Sequence, residues 1–321
     1  MKILLTTTSF QDTPGAHHAL LAGSGFTIIS ARGPLNEAQI LALIAEQGPF
    51  DGFLNGDDQI TARVIDAAGD RLKVIAKYGI GLDSIDVAHA TQRSIPVLFT
   101  PGVNHTTVAE HTIGLMIALV KAFWPHARAV KAGHWTRHTG HELMDKTLGI
   151  LGLGRIGREV AKRAQAFGMR CIAYSPHWPE DWQTQFDVIR QAAPEAVLAE
   201  SDIVSLHMPL NDTTRGFINA RTLAIMKKGA YLINTARGGL IVEADVAAAC
   251  RSGQLAGYGA DVLAEEPIRP GHPFQEIDSI LITPHIGSRT FESVERQALC
   301  AVTNLIEFLT GGKNYIQANR F

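Results

Sequence analysis

Short apolar runs alternate along this chain with longer stretches in which apolar residues recur every three or four positions. The runs at 2–6 (KILLT), 26–29 (FTII), 52–54 (GFL), 72–76 (LKVIA) and 96–98 (PVL) are predicted as strands. Between them, 35–47 (LNEAQILALIAEQ) and 61–68 (TARVIDAA) carry helical spacing. Such alternation predicts parallel sheet made of strand–helix–strand units. Pro101-Gly102 breaks the series, and the apolar stretch after it is predicted as one helix from Thr107 to Val130. A second series follows at 147–151 (TLGIL), 170–174 (RCIAY), 203–207 (IVSLH), 230–234 (AYLIN), 256–260 (AGYGA) and 280–282 (ILI). The stretch 289–310 is predicted as a helix that closes back over the first domain. The chain thus reads as an α/β protein with two doubly wound domains. Residues 103–285 form one, inserted into the other, which is built from 1–102 plus 286–321.

Composition narrows the function classes. With 46% hydrophobic and 19% charged residues, the 321-residue chain has ample material for two packed cores. The net charge of −2, with no Lys/Arg run, argues against a nucleic-acid partner. No stretch approaches the ~20 apolar residues of a membrane span, and the N-terminal MKILLTTTSF reads as a strand rather than a leader. Cys171, Cys250 and Cys300 are far apart and odd in number, so a disulfide framework is not expected, and a cytoplasmic location is. The histidines show no metal-ligand spacing, and no metal is expected.

The strongest local motif is Gly152-Leu153-Gly154-Arg155-Ile156-Gly157, after an apolar strand and before an amphipathic helix. Gly152 permits the tight turn, Gly154 lets a pyrophosphate approach the backbone, and Gly157 lets helix and strand pack closely. The phosphates would then meet the positive end of the helix. An adenosylmethionine site or an ordinary strand–helix turn are the competing readings. A ribose-binding carboxylate is expected about 20 residues further on, where Ser175 stands instead. Without that carboxylate a 2′-phosphate is no longer repelled. NAD and NADP are both admissible, with His177 near enough in sequence to meet the phosphate.

These segments resemble the D-2-hydroxyacid dehydrogenase family, which includes phosphoglycerate, glyoxylate/hydroxypyruvate and formate dehydrogenases. The resemblance runs through AKYGIGLDSID (76–86), PGVNHTTVAEHT (101–112), KTLGILGLGRIGREVA (146–161), LHMPLNDTTRGFI (206–218), LINTARGGLIVE (232–243), GADVLAEEP (259–267) and LITPHIGS (281–288). It implies a Rossmann nucleotide domain inserted into a flavodoxin-like substrate domain, with the cofactor between the two. It implies a homodimer formed through the nucleotide domain, in which the 107–130 helix buries one face against its copy.

By the same resemblance Arg237 orients the substrate, a role for which a planar guanidinium suits both the carboxylate and the adjacent carbonyl. His285 matches the general acid/base, and an imidazole titrates near working pH. Glu266, directly before Pro267, is the carboxylate implied to pair with His285, leaving Glu265 as a solvated charge. The amides of Ile80 and Gly81 are implied to receive the substrate carboxylate, with Lys77 and Asn104 near it. Val108, Arg155, Ile156, His207, Pro209, Thr235, Asp261 and Gly287 match cofactor-side positions. His105, His111, His134, His138 and His141 are left without a role.

The substrate is less legible. Lys77 stands where some phosphoglycerate dehydrogenases place a cationic phosphate contact, but Asn55 replaces their Arg, and Asp57 and Asp58 would repel a phosphate unless they point away. No regulatory domain is expected beyond Phe321. Phosphoglycerate and smaller acids such as glyoxylate or hydroxypyruvate remain open, whereas the Glu at 266, where formate dehydrogenases carry Gln, argues against formate. Trp135 is read either as an aromatic that reaches a partner subunit or as a core residue. The competing class is a dinucleotide-sensing corepressor-like protein, which would be expected to bring an added partner-binding segment.

Overall fold

The computed structural model describes residues 1–180 and 186–321. The chain divides into two compact units, Met1–Asn104 with Arg289–Phe321, and His105–Ser288.

In the first unit, five parallel strands, β1 (Lys2–Leu5), β2 (Thr27–Ser30), β3 (Gly52–Asn55), β4 (Val74–Lys77) and β5 (Val97–Leu98), lie in the order β2-β1-β3-β4-β5. That is the flavodoxin-like order, with its switch point between β1 and β3. Helices α1 (Thr8–Asp12), α2 (Ala16–Ala22), α3 (Glu37–Gln47), α4 (Ala62–Ala68) and α5 (Val87–Gln92) connect the strands. Period-two alternation splits each strand between two cores. Leu4, Phe53 and Ile75 face α3 and α4, whereas Ile3, Leu5, Leu54, Val74 and Ala76 face the C-terminal helix. That helix, Phe291–Leu309, buries Ala298, Ala301, Val302 and Leu305 in the same core as β1, β3 and β4. Each fully buried Val or Leu there contributes about 1.5–3 kcal/mol. Helix α3 starts at a reciprocal Asn36–Gln39 capping box, a device whose loss costs roughly 1 kcal/mol.

The second unit holds seven parallel strands: β6 (Thr147–Leu151), β7 (Arg170–Tyr174), β8 (Val188–Arg190), β9 (Ile203–Leu206), β10 (Ala230–Asn234), β11 (Leu255–Ala260) and β12 (Ile280–Ile282). Their order is β12-β11-β10-β9-β6-β7-β8, so the sheet runs one way from β6 and returns through β9 on the other side. This is the doubly wound dinucleotide-binding order with one strand added, and it opens a crevice at the carboxyl ends of β6 and β9. β6 is buried along its whole length, as a central strand covered on both faces requires. One face carries α6 (His105–Val120) and α8 (Arg155–Ala166), and the other carries α9 (Pro194–Glu200), α10 (Ala220–Ile225) and α11 (Glu243–Ser252).

The predicted 107–130 helix is corrected. The helix ends at Val120, and α7 (Phe123–Lys131) leaves at an angle of 65°. Ala122 adopts a left-handed backbone (φ 52°), which no continuous right-handed helix can contain. β8 was not anticipated either; it is three residues long, with Ile189 and Arg190 exposed. Among the described residues no single helix is long and apolar enough to cross a membrane, and α6 is largely buried in the core.

Candidate active site

The glycine turn sits at the switch point of the second sheet. Gly152 has φ 102°, and a Cβ on it would lie 2.6 Å from the His207 carbonyl carbon and 2.7 Å from the Met208 nitrogen, in the loop after β9. A Cβ on Gly157 would lie 2.2 Å from the Gly152 carbonyl oxygen. Both positions therefore need glycine for closeness as well as for turning. Gly154 differs, because only open space faces it. It is the N-cap of α8, no side chain caps the helix, and its first turn begins with exposed Arg155 and half-buried Ile156. The amides there remain available to an anion. His207 Nε2 lies 2.8 Å from Ser205 Oγ, while its buried Nδ1 has no partner among the described residues. Burial pulls the imidazole down to about 3, so it is neutral at ordinary pH. Ser175, just past β7, donates to the His177 carbonyl at 3.0 Å, and exposed Pro209 accepts from Thr214 at 2.7 Å. An open, uncapped helix terminus beside an orphaned imidazole nitrogen fits a dinucleotide diphosphate.

Arg237, Glu266 and His285 follow β10, β11 and β12, at the same carboxyl edge. His285 Nδ1 lies 2.8 Å from Glu266 Oε2, and Glu266 Oε1 accepts from the Leu263 amide at 3.0 Å. The carboxylate is thus fixed by backbone on one side and fixes the ring on the other. His285 itself has φ 53°, a sparsely populated conformation for a residue with a Cβ. Its amide donates to the carbonyls of Asp261 (2.9 Å) and Thr283 (3.0 Å). Arg237 lies in a loop folded by Asn234, whose side chain donates to the Arg237 carbonyl (2.9 Å) and accepts from the Ala236 amide (3.1 Å). Arg237 Nη1 donates to the Ala236 carbonyl at 2.7 Å. A Cβ on Gly238 would lie 1.9 Å from the Leu263 carbonyl carbon, so the Arg237 loop rests directly on the chain that leads to Glu266. Glu265 turns away to pair with Arg269.

Asp261 is buried, and its carboxylate accepts from Thr283 Oγ1 (2.6 Å), the Ile286 amide (2.9 Å) and the Gly287 amide (2.6 Å), with His111 Nε2 at 3.4 Å. These donors hold it below the usual carboxylate range against the opposing effect of burial. Asp261 and Gly287 are therefore engaged with the loop that carries His285. Thr235 bonds Thr112, and Val108 is buried in α6.

In the first unit, Lys77 ends β4 with a side chain only 2% exposed. Its ammonium lies 2.5 Å from Asp57 Oδ1 and 2.6 Å from the Gly56 carbonyl. Asp58 points inward: it is fully buried and accepts from Thr6 Oγ1 (2.6 Å), the Leu35 amide (2.7 Å) and the Gly56 amide (2.9 Å). Asn55 is buried too. The amides of half-buried Ile80 and Gly81 donate to no described residue, and Asn104 Oδ1 has no described partner. The core reading of Trp135 is corrected, since its side chain is 75% exposed.

The sequence reading passed over His111, Thr112, Asn234 and Gly238. The first two lie inside the quoted PGVNHTTVAEHT segment, whose helical spacing puts consecutive residues on different bearings and hides what each one meets. Gly238 lies in ARGG, and only the packing against Leu263 gives it a reason.

A seven-stranded sheet in this order, with a glycine cradle at its switch point, defines a dinucleotide-binding protein. Residues 113–287 match the NAD binding domain of the D-isomer specific 2-hydroxyacid dehydrogenases. The chain is 40% identical to the glyoxylate reductase of Thermofilum pendens over 260 residues, covering 79% of this chain and 76% of that protein. It is 41% identical to the hydroxypyruvate reductase of Thermotoga maritima over 261 residues, covering 78% and 82%. Its fold is similar to the crystal structure of the TT0316 protein from Thermus thermophilus, with a TM-score of 0.89, 36% identity and coverage of 99% and 100%. The chain belongs to the D-isomer specific 2-hydroxyacid dehydrogenase family. It is an NAD-dependent oxidoreductase of 2-hydroxy and 2-oxo acids.

Proposed function

We propose that this enzyme interconverts a small 2-oxo acid, of the size of glyoxylate or hydroxypyruvate, and its D-2-hydroxy acid, with Arg237, Glu266 and His285 as the working side chains. The observation that carries the assignment is the 2.8 Å contact between His285 Nδ1 and Glu266 Oε2 at the carboxyl edge of the sheet. With Nδ1 committed to the carboxylate, Nε2 is the nitrogen that hands a proton to the carbonyl oxygen in reduction and takes it back in oxidation. Arg237 grips the carboxylate and draws charge onto the oxygen being protonated. The cradle at Gly152, Gly154 and Gly157, with Arg155 and Ile156 in the first turn of α8, would hold the dinucleotide, whose nicotinamide supplies or accepts the hydride when bound. His207, Ser175, Pro209, Val108 and Thr235 line this half.

The small-acid assignment rests on charge. Lys77 is neutralised by Asp57, and Asp58 is spent inside the fold, so this loop has no surplus cation to meet a phosphate dianion. The unclaimed Ile80 and Gly81 amides suit a carboxylate instead.

The test is turnover with NADH against glyoxylate, hydroxypyruvate and phosphohydroxypyruvate. His285→Asn is the variant of choice, because asparagine tolerates the left-handed backbone at that position. It is expected to lose on the order of 10²–10⁴-fold in kcat while still binding NADH. Near-normal turnover by this variant would remove His285 from the chemistry. A preference for phosphohydroxypyruvate would overturn the substrate class.

We also propose that the chain pairs with a second copy through α7 and the segment after it. Phe123 (56% exposed), Trp124 (52%), Val130 (51%), Trp135 (75%) and Met144 (62%) are all open to solvent in the single chain. Large apolar side chains gathered on one segment mark a surface that is covered by something. Sedimentation velocity is expected to show a dimer, and Trp124→Ser with Trp135→Ser a monomer. A wild-type monomer at micromolar concentration would refute the pairing.

A further inference from the structure

Two consecutive side chains of α6 reach the two loops that carry Arg237 and His285. His111 Nε2 lies 2.8 Å from Thr283 Oγ1 and 3.4 Å from Asp261 Oδ1. Thr112 Oγ1 lies 2.8 Å from Thr235 Oγ1 and 2.8 Å from the Val108 carbonyl. Thr235 stands two residues before Arg237, and Thr283 two residues before His285.

Counting protons sets the direction of each bond. Thr283 has one hydroxyl proton, and the 2.6 Å contact with Asp261 Oδ1 takes it. His111 is therefore the donor to Thr283, with its proton on Nε2. Thr112 gives its proton to the Val108 carbonyl, one turn back in the helix, so Thr235 is the donor to Thr112. Asp261 in turn accepts from the Ile286 and Gly287 amides and so holds the backbone that follows His285.

The two loops leave β10 and β12, which are not neighbours because β11 lies between them. Helix α6 bridges that gap. It is seated against β11 at two glycines: a Cβ on Gly259 would lie 2.9 Å from Leu119 Cδ1 and 3.4 Å from Leu115 Cβ, and one on Gly257 would lie 3.3 Å from Leu119 Cδ2. A helix so closely seated is a stiff reference for whatever it touches.

We propose that His111 and Thr112 are positioning residues. Together they fix the spacing between the Arg237 guanidinium and the His285 imidazole by tying both loops to one turn of α6. The proposal rests on the reading that these two groups act on one substrate. It gives His111 a task for which its charge is irrelevant and its Nε2 proton essential.

The test is steady-state kinetics of the full chain with NADH and glyoxylate, in His111→Phe, His111→Gln, Thr112→Val, Thr112→Ser and His285→Asn. Misplacing reacting groups by about 1 Å costs on the order of 100-fold in rate. His111→Phe and Thr112→Val are therefore expected to lower kcat roughly 10- to 100-fold, with the KM for NADH within about twofold of the parent. His111→Gln and Thr112→Ser, which retain a donor or hydroxyl, are expected to recover most of the rate. With cofactor deuterated at the transferring position, the isotope effect should rise in His111→Phe, because hydride transfer becomes the slow step. Thr112→Val keeps the buried volume and serves if His111→Phe does not fold. Parental kcat in both Phe and Val variants, alongside an inactive His285→Asn, would overturn the brace and leave the catalytic reading standing. An active His285→Asn would overturn the reading itself. Equal losses in Thr112→Ser and Thr112→Val would assign the effect to packing and end the proposal.

Discussion

At the scale of single residues, chemistry in this enzyme is decided by what each polar group has already been given. Lys77 and Asp57 satisfy each other, Asp261 is occupied by backbone amides and Thr283, and His207 keeps one buried nitrogen without a described partner. Ser175 contributes only a hydroxyl, which donates to the His177 carbonyl, so nothing charged at this position discriminates between NAD and NADP. Ser175→Asp is expected to raise the KM for NADPH about tenfold or more with a small change for NADH, because a carboxylate there repels a 2′-phosphate. Equal shifts for both cofactors in paired titrations would show that Ser175 does not face the ribose. Motifs marked most of the candidate site in the sequence: GLGRIG falls in the glycine turn, and ARGG, EEP and TPH fall in the three strand-end loops. What they could not expose is occupancy. That Asp58 turns inward while Asp57 neutralises Lys77 depends on Thr6 and Leu35, distant in the chain.

At the scale of elements, the active edge is a set of strand-end loops held at fixed distances by close backbone contact. Gly238 is the clearest case, because its missing side chain is what lets the Arg237 loop lie on Leu263. Gly238→Ala must push the two loops apart; overpacking of this kind costs about 1–3 kcal/mol. A lower melting temperature is expected, with a loss of kcat out of proportion to it, both measurable on one preparation. Unchanged kcat would mean that the loops move independently. Period-two and helical spacing made the strands of both sheets readable to within a residue or two, since buried parallel strands are runs of apolar residues whatever their neighbours. The break between α6 and α7 was missed. Apolar spacing runs on from 107–120 through Phe123, Trp124 and Val130 despite Lys121, Pro125 and Arg128, and the left-handed Ala122 at the junction carries no signal in its identity. Strand β8 escaped because two of its three residues are exposed and no apolar run marks them.

At the scale of the whole molecule, buried titratable groups set the pH range over which the fold holds. His207 stays neutral when folded down to about 3, and His17 is also lowered by burial, whereas an unfolded imidazole takes a proton near 6.5. Below that pH the unfolded chain binds more protons, so stability falls as pH drops, by roughly 1.4 kcal/mol per pH unit for a fully protected group. Asp51, Asp202 and Asp261 are lowered when folded; their contribution is present above about 4 and is lost as pH falls further. At the alkaline end burial raises the Cys171 thiol to about 12, so ionisation of the unfolded thiol erodes stability above about 9. Calorimetry across pH is expected to show a midpoint that declines first below 6.5 and again below 4, with His207→Asn flattening the first decline. A variant profile that overlays the parent would reject the role of His207. The apolar arm has a consequence of its own. Two of the four tryptophans, Trp124 and Trp135, stand on it and are more than half exposed. An indole emits at longer wavelength in water than in a dry contact, so the proposed pairing predicts that the protein's own fluorescence reddens on dilution, an optical gauge of that pairing that would need no label.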